Sequence, residues 1–364
     1  MDFSTLGKHV ANPSIFKGSE KKPFLAPRGV HVVNDTLFVS DTGQNRVFIW
    51  HSMPTNLYQE PDVVLGQQNV ELSGRNAGGA VAANSLHYPS GIWSDGNRLV
   101  VADAWNHRVL LWNTLPTVNG QPADVVIGQP NFQTNEVNVK GISNDPTATT
   151  LHWPYGVFSD GKHLWIADTG NRRILFYESF PSKNYAPADG VIGKPNFNTR
   201  DFEKNQPIWP YSVSINKNGV MAVADTQFYR TLIWKQWRDA FTNTADVIIG
   251  QPGFAASGQN QFGLFPDAHT MNWTYDLCFY KEGILVNDTG NSRLLHYKSI
   301  PNANNLPADA VIGKRDFKTG SENKDTIVGT DSSLYWPFSI CTQENKLIVA
   351  DTGNHRLVLM DLLL

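Results

Sequence analysis

Two thiols and one imidazole occupy the same position of a recurring element in this 364-residue sequence. Four residues past the proline position of the fifth, sixth and first copies lie Cys278, Cys341 and His31. If the copies form a closed ring, these three are contiguous. Thiolate and imidazole ligands suit zinc or copper, so the three residues are a candidate metal site. The alternative is that the cysteines pack as small buried apolar side chains on inner strands.

The residue directly after each proline position is the second candidate for chemistry, because it varies from copy to copy. In chain order these residues are Arg28, Ser90, Tyr155, Tyr211, Tyr275 and Phe338. Beside them lies Asp276, where other copies have Gly or Ser. His87 and His152 lie two residues before the proline position, and His269 lies near the corresponding place in the fifth copy. Such side chains around one opening could bind a small polar or anionic ligand. The alternative is a water-filled channel lined by hydrogen-bonded hydroxyls.

A turn motif of the form Asp-Thr-Gly-Asn-x-Arg sets the register of all these positions. Its six copies, roughly 57 to 65 residues apart, have the period of a repeat architecture. They are Asp41–Arg46, Asp103–Arg108, Asp168–Arg173, Asp225–Arg230, Asp288–Arg293 and Asp351–Arg356. Thr, Gly and Asn favour a tight turn, and alternating apolar residues on both sides predict a strand before and after it.

Two further elements keep the same phase. An aromatic-Pro element precedes each turn, with degenerate copies in the first and fifth repeats, and an Asp-Val-Val-Ile-Gly element follows five of the six turns. Each repeat therefore predicts four short strands, which is the composition of a propeller blade. We expect an all-β, six-bladed propeller forming one domain over residues 1–364. The segment around Val10 to Phe16 should supply the missing outer strand and close the ring.

The turn motif resembles the signature of NHL repeats, and the resemblance covers nearly the whole chain. It implies a six-bladed propeller, a fold whose NHL members serve as protein scaffolds, RNA-binding domains and lyase-type enzymes. The NHL-like lyase that cleaves peptidyl hydroxyglycine has zinc histidines after the proline of the inner strand, where this chain has none. Lactonase-like propellers hold calcium among several carboxylates, and only Asp276 matches here, so calcium is less favoured than zinc or copper.

The repeated Asp and Arg are expected to be structural, because six equivalent carboxylates cannot share one active centre. Asp should cap the turn and Arg should bind a nearby carboxylate or carbonyl. The aromatic residue before each proline is expected to pack between blades. Two turns depart from the pattern with Ala104-Trp105 and Gln227-Phe228-Tyr229. These aromatics could contact a ligand or partner, or cover an adjacent loop.

Composition limits the classes of function. The formal net charge of −3 makes nucleic-acid binding unlikely, and two cysteines cannot build a disulfide framework. No apolar run suits a signal peptide or a transmembrane segment, so the expected location is cytoplasmic, with a removed signal peptide as the alternative. Long connections rich in Asn, Gly, Thr and Ser, such as 194–208 and 314–334, should line the face that carries the turns.

These observations predict a propeller that binds a protein partner or a small ligand on its loop-rich face and channel mouth. The alternative is a propeller enzyme of lyase or hydrolase type, with or without a bound metal ion, whose site lies at the central channel.

Overall fold

A computed structural model describes residues 9–200, 208–325, 327–331 and 333–364. Over these ranges the protein consists of short strands joined by tight turns and 3-10 helices. The strands form six four-stranded antiparallel sheets, and the fold is the predicted six-bladed β-propeller. Each sheet is one blade, numbered here by its copy of the turn motif.

The chain enters the described region through β1 (Val10–Phe16), which belongs to the sixth blade. Blade one contains β2 (Gly29–Val33), β3 (Thr36–Asp41), β4 (Arg46–Trp50) and β5 (Val63–Leu65). Blade two contains β6 (Pro89–Ser94), β7 (Leu99–Asp103), β8 (Arg108–Trp112) and β9 (Val125–Ile127). Blade three contains β10 (Pro154–Ser159), β11 (Leu164–Asp168), β12 (Arg173–Tyr177) and β13 (Gly190–Ile192).

The remaining blades repeat this order. Blade four contains β14 (Pro210–Ile215), β15 (Met221–Asp225), β16 (Arg230–Trp234) and β17 (Val247–Ile249). Blade five contains β18 (Thr274–Tyr280), β19 (Gly283–Asp288), β20 (Arg293–Tyr297) and β21 (Ala310–Ile312). Blade six contains β22 (Ser339–Gln343), β23 (Lys346–Asp351) and β24 (Arg356–Leu362), with β1 as its fourth strand.

The N-terminal strand completes the sixth blade. It pairs antiparallel with β24, from Val10 opposite Leu362 to Phe16 opposite Leu357, and a bulge interrupts the register between Ala11 and Ser14. The bulge contains Asn12 in a left-handed conformation. The predicted use of this segment as the missing outer strand is confirmed. The five Asp-Val-Val-Ile elements form the short outer strands of the other blades, as predicted.

A 3-10 turn joins the second and third strands of every blade. These turns are Thr42–Gln44, Ala104–Asn106, Thr169–Asn171, Thr226–Phe228, Thr289–Asn291 and Thr352–Asn354. Five further 3-10 helices lie in the connections, at Arg75–Gly78, Val137–Val139, Trp237–Phe241, Gln259–Phe262 and Glu322–Asp325. Of the connections predicted at 194–208 and 314–334, residues 201–207, 326 and 332 lie outside the described residues. Among the described residues no helix has the length and apolar character needed to cross a bilayer.

The chain divides into two compact units, Gly18–Val213 and Ser214–Leu364 with Met1–Lys17, and the division falls within β14. In the first unit, apolar side chains of blades one and two share a core around Phe38, Leu99 and Trp112, and a second core joins blades two and three. In the second unit, one core joins blades four and five and another joins blades five and six around Leu285 and Leu347. Burial of these apolar faces is the main force that holds neighbouring blades together.

The threonine of the turn motif adds a polar link between neighbouring blades of one unit. The hydroxyl of Thr169 donates to the carbonyl of Pro210 at 2.7 Å, and that of Thr289 donates to the carbonyl of Pro337 at 2.6 Å. Thr42 and Thr226 make the same bond to the proline position of the following blade. In these four cases the bond fixes the start of the following inner strand, and so it positions the variable residue after the proline position.

Candidate functional site

The repeated Asp and Arg form buried ion pairs, which confirms their structural role. In all six copies the arginine Nε donates to Oδ2 of the aspartate at 2.7 or 2.8 Å, and both side chains are buried. The aspartate does not cap its own 3-10 turn through a side-chain bond. In blade three, Asp168 Oδ1 instead accepts the backbone N–H of His152, 16 residues upstream. The carboxylate therefore holds the strand entry as well as the turn.

The same arginines hold the long connections in place. Arg173 donates through Nη1 to the carbonyl of Phe197 at 2.5 Å, and through Nη2 to the carbonyls of Thr147 and Thr150 at 2.8 and 2.9 Å. Arg108 and Arg293 make the corresponding bonds in blades two and five. A guanidinium can satisfy a carboxylate and several carbonyls at once, because its donors form a planar fork. The connections are thus fixed around the turns.

Paired asparagines complete this anchoring, and they were not identified from the sequence. In blade three the amides of Asn138 and Asn171 exchange two hydrogen bonds, at 2.9 and 3.1 Å. Equivalent pairs join Asn76 with Asn106, Asn260 with Asn291, and Asn323 with Asn354. The loop asparagine of each pair has positive φ. It lies ten residues after the glycine that ends the Asp-Val-Val-Ile-Gly element in each of these four repeats, and that constant spacing is the signal that could have identified it.

The structure brings two of the predicted channel-mouth tyrosines together in the Gly18–Val213 unit. The rings of Tyr155 and Tyr211 stack with centroids 4.4 Å apart and planes 9° apart. The indole Nε1 of Trp105 donates to the Tyr155 hydroxyl at 3.3 Å, and Trp105 in turn stacks on Tyr88 at 4.4 Å and 13°. The Arg28 guanidinium carbon lies 5.0 Å from the centre of the Tyr88 ring. We call these five residues the aromatic cluster.

Two members of the aromatic cluster were not among the predicted channel-mouth residues. Tyr88 precedes a proline and was expected to pack between blades, and its ring lies between Arg28, next to β2 of blade one, and Trp105 of blade two. Trp105 replaces a turn glycine and remains 43% exposed, so its ring is accessible, and both interpretations of the substitution stay predictions. Ser90, predicted at the same opening, is buried, and its hydroxyl has no hydrogen-bond partner among the described residues.

Histidines lie beside this cluster. His87 packs edge-on against Trp105 with centroids 5.1 Å apart, and His152 packs similarly against His107 at 5.5 Å. Nδ1 of His107 accepts the backbone N–H of Trp153 at 3.1 Å, so neutral His107 carries its proton on Nε2. Burial, with His152 and His87 nearby, lowers the pKa of His107 to about 3. Burial also lowers the pKa values of His87 and His152. His107 was not among the predicted site residues, because it occupies a variable position of the turn.

The Ser214–Leu364 unit contains the other predicted residues. Tyr275 packs on Phe338 with ring centroids 4.2 Å apart. Asp276 Oδ2 accepts hydrogen bonds from the Ser339 hydroxyl at 2.8 Å and from the Ile340 N–H at 3.0 Å, so the carboxylate links blades five and six. His269 lies at the blade edge, with Nδ1 2.8 Å from the Asn305 carbonyl.

Asn287 is a second departure from the repeat in blade five. It stands where four other copies have alanine, and it pairs with Asp276 across β18 and β19. Its side chain is fully buried, and among the residues that the structure describes neither its amide nitrogen nor its oxygen has a hydrogen-bond partner. A buried amide without partners costs free energy, so this position is a point of local instability.

The structure supports packing for both cysteines. Burial raises the pKa of Cys278, as does the nearby Asp276, and burial raises the pKa of Cys341 beside Cys278. Both thiols are therefore protonated near neutral pH. His31 lies in the other unit, with Nε2 2.8 Å from the Ser94 carbonyl. Over the described ranges, no group of three or more His, Cys, Asp or Glu side chains is placed to hold a metal ion. Zinc or copper binding by these three residues stays a prediction.

Comparisons with known proteins add little about function. No protein-family profile matches the chain, and no curated protein is significantly similar to it, so the NHL-repeat resemblance stays an expectation. Solved structures with a similar fold include a catalytically inactive virginiamycin B lyase from Staphylococcus aureus with quinupristin. It is 10% identical, with a TM-score of 0.49, covering 96% of this chain and 99% of that one.

A streptogramin B lyase structure is 11% identical, with a TM-score of 0.48, covering 99% of this chain and 100% of that one. The computationally designed Ika8 protein is 8% identical, with a TM-score of 0.43, covering 96% of this chain and 100% of that one. At such identities and TM-scores the similarity does not indicate a shared ligand or activity.

Proposed function

We propose that the protein binds a small planar anion at the aromatic cluster. The observation that carries the proposal is the pair of preformed ring stacks, Tyr88 on Trp105 and Tyr155 on Tyr211, joined by the bond from Trp105 to Tyr155. Rings held in this way lose little conformational freedom when a ligand stacks on them. Arg28 adds a positive charge at one end, which favours an anionic substituent on the ligand.

The protonation states of two neighbouring groups are compatible with binding. Burial raises the pKa of Tyr88 and lowers that of His87, so both side chains are uncharged around neutral pH. They supply packing area and hydrogen bonds, which are the requirements of a binding site.

The experiment measures binding of 2-naphthoate and of its neutral analogue 2-naphthylmethanol by isothermal titration calorimetry. Replacing Tyr211 or Trp105 by alanine should weaken both by about 10-fold or more, because a stacking face is lost. Replacing Arg28 by methionine should weaken only the naphthoate. The matched control is Trp336→Ala, because Trp336 is 40% exposed and Trp105 is 43% exposed.

Three results would count against this proposal. Naphthoate could fail to bind at millimolar concentration, Trp336→Ala could weaken it as much as Trp105→Ala, or Arg28→Met could weaken the acid and the alcohol equally. The last result would remove the charge selectivity while leaving an aromatic site.

A further inference from the structure

Two loops of the Ser214–Leu364 unit hold large apolar side chains away from the protein. Phe262, Leu264 and Phe265 lie between β17 and β18, and Ile327 and Val328 lie between β21 and β22. Each of these side chains is at least 70% exposed. Exposed apolar residues are common singly, but a group of this size on neighbouring loops indicates an interaction site. We call residues 262–265 and 327–328 the apolar tips.

The first apolar tip has a fixed conformation. Asn260 donates its backbone N–H to the carbonyl of Met271 at 3.0 Å and exchanges side-chain hydrogen bonds with Asn291. Gln261 donates its N–H to the carbonyl of Gly258 at 2.8 Å. Asn260, Gln261 and Phe262 all have positive φ, a conformation that costs energy for a bulky residue. The anchors thus hold the backbone of this tip, and the Phe262 ring lies beside Gly258 of the same loop with most of its surface exposed.

The second apolar tip uses the same anchors. Asn323 donates its N–H to the carbonyl of Leu334 at 3.0 Å, and its side chain pairs with Asn354. The two loops also lie against each other, because a Cβ placed on Gly320 would lie 3.0 Å from Cγ of Pro266. The two loops that carry the tips are therefore neighbours in the same unit.

The charge of these loops indicates what kind of surface the apolar tips contact. No Lys, Arg, Asp or Glu occurs from Gln251 to Pro266, so burial of the first tip removes no charge from water. The stretch from Lys314 to Asp331 contains four basic and four acidic residues, which leaves no net attraction for an anionic surface. Single protruding side chains suit a fluid apolar phase, whereas a protein partner would need a shaped groove to receive them.

We propose that the apolar tips insert into the interfacial region of a lipid bilayer and hold the protein at the membrane surface. The interaction is peripheral, and it does not depend on the aromatic cluster or its ligand. Because insertion is driven by apolar area, it should be independent of anionic lipid and only weakly sensitive to salt.

The test is co-sedimentation of the full chain with vesicles of pure phosphatidylcholine and with vesicles that also contain phosphatidylserine. The wild type should bind both equally. Phe262→Ser combined with Leu264→Ser should weaken partitioning into both by about 100-fold, since two large apolar side chains no longer leave water. Leu57→Ser combined with Val118→Ser is the matched control, because these residues are exposed apolar side chains outside the tips.

A second measurement locates the insertion. Phe262→Trp should show a blue-shifted indole emission with phosphatidylcholine vesicles, and brominated lipid should quench it. The proposal is overturned if the wild type binds no vesicles, if binding requires phosphatidylserine, if the control variant loses binding as the tip variant does, or if the new tryptophan keeps its aqueous emission. Each result leaves naphthoate binding at the aromatic cluster as a separate question.

Discussion

Replacing His107 by asparagine should make the protein more resistant to acid. His107 has a left-handed backbone, with φ of 53°, and its Nδ1 accepts the backbone N–H of Trp153 at 3.1 Å. Asn45 has the same role in the preceding repeat, where φ is 55° and its side-chain oxygen accepts the N–H of Tyr88 at 3.0 Å. Asparagine tolerates this conformation well. The substitution should therefore keep the bond and remove only the imidazole.

The magnitude follows from proton linkage. Burial lowers the pKa of His107 to about 3, whereas the unfolded chain has the ordinary histidine value near 6.5. Between these values the unfolded state binds a proton that the folded state excludes, so stability falls as the pH decreases. Above pH 6.5 the exclusion of this proton costs the folded state nothing. At pH 5 it lowers the free energy of unfolding by about 2 kcal/mol, because each pH unit below 6.5 costs about 1.4 kcal/mol.

The assay is urea unfolding, followed by circular dichroism, at pH 7.5, 6 and 5. At pH 7.5 the free energy of unfolding of the His107→Asn variant should match that of the wild type within about 1 kcal/mol. From pH 7.5 to pH 5 the difference between variant and wild type should shift by about 2 kcal/mol in favour of the variant. The reverse exchange, Asn45→His, should add acid sensitivity and serves as the control. If the wild type and His107→Asn lose stability in parallel from pH 7.5 to 5, His107 is protonated in the folded protein and the argument is wrong.

Three further substitutions test the fold by the same unfolding measurement. Arg173→Met should lower the free energy of unfolding by about 3 to 5 kcal/mol, because the Asp168 carboxylate loses its buried partner. Arg315→Met, which removes an exposed ion pair with Asp316, should cost less than about 1 kcal/mol, and equal losses would contradict this. Phe16→Ala should cost about 3 to 5 kcal/mol if β1 is integral to blade six, and a loss within error would show that it is not. Asn287→Ala should stabilise the protein by about 1 kcal/mol by removing an unsatisfied amide, and a destabilised variant would indicate an internal water there.

Local chemistry made most of the fold predictable. Asp168 and Arg173 are five residues apart across a tight turn, so their bond depends on a few backbone angles and on burial by adjacent strands. The alternating apolar residues around them specify strands in the same way. The outer strand β1 was predictable for a different reason, because five outer-strand elements for six turns left one blade incomplete.

The candidate site was predictable only where it depends on the repeat register. Tyr155 and Tyr211 follow equivalent prolines, so their stacking follows from the geometry of neighbouring inner strands. The contact of Trp105 with Tyr88 joins a turn to the entry of an inner strand of the same blade, positions that the repeat brings together by a backbone hydrogen bond in five blades. The stacking itself depends on two aromatic rings meeting face to face, and their relative orientation is set by tertiary packing, which a single sequence does not display. The loop asparagines keep a constant spacing of ten residues after the outer-strand glycine, but the sequence does not show which turn residue each one bonds.

The position of Trp105 shows why departures from the repeat carry the functional information. Blades one, three, five and six have glycine there, and a Cβ on Gly170 would lie 2.5 Å from the His152 ring and from its carbonyl oxygen. The glycine N–H groups donate to the corresponding upstream carbonyls at 2.7 to 2.9 Å, whereas Trp105 donates to that of His87 at 3.1 Å. The turn of blade two thus accommodates a large side chain at a position where four copies have glycine. That side chain is a half-exposed indole stacked on Tyr88 and bonded to Tyr155, and this departure from the repeat is the one on which the proposed ligand site rests.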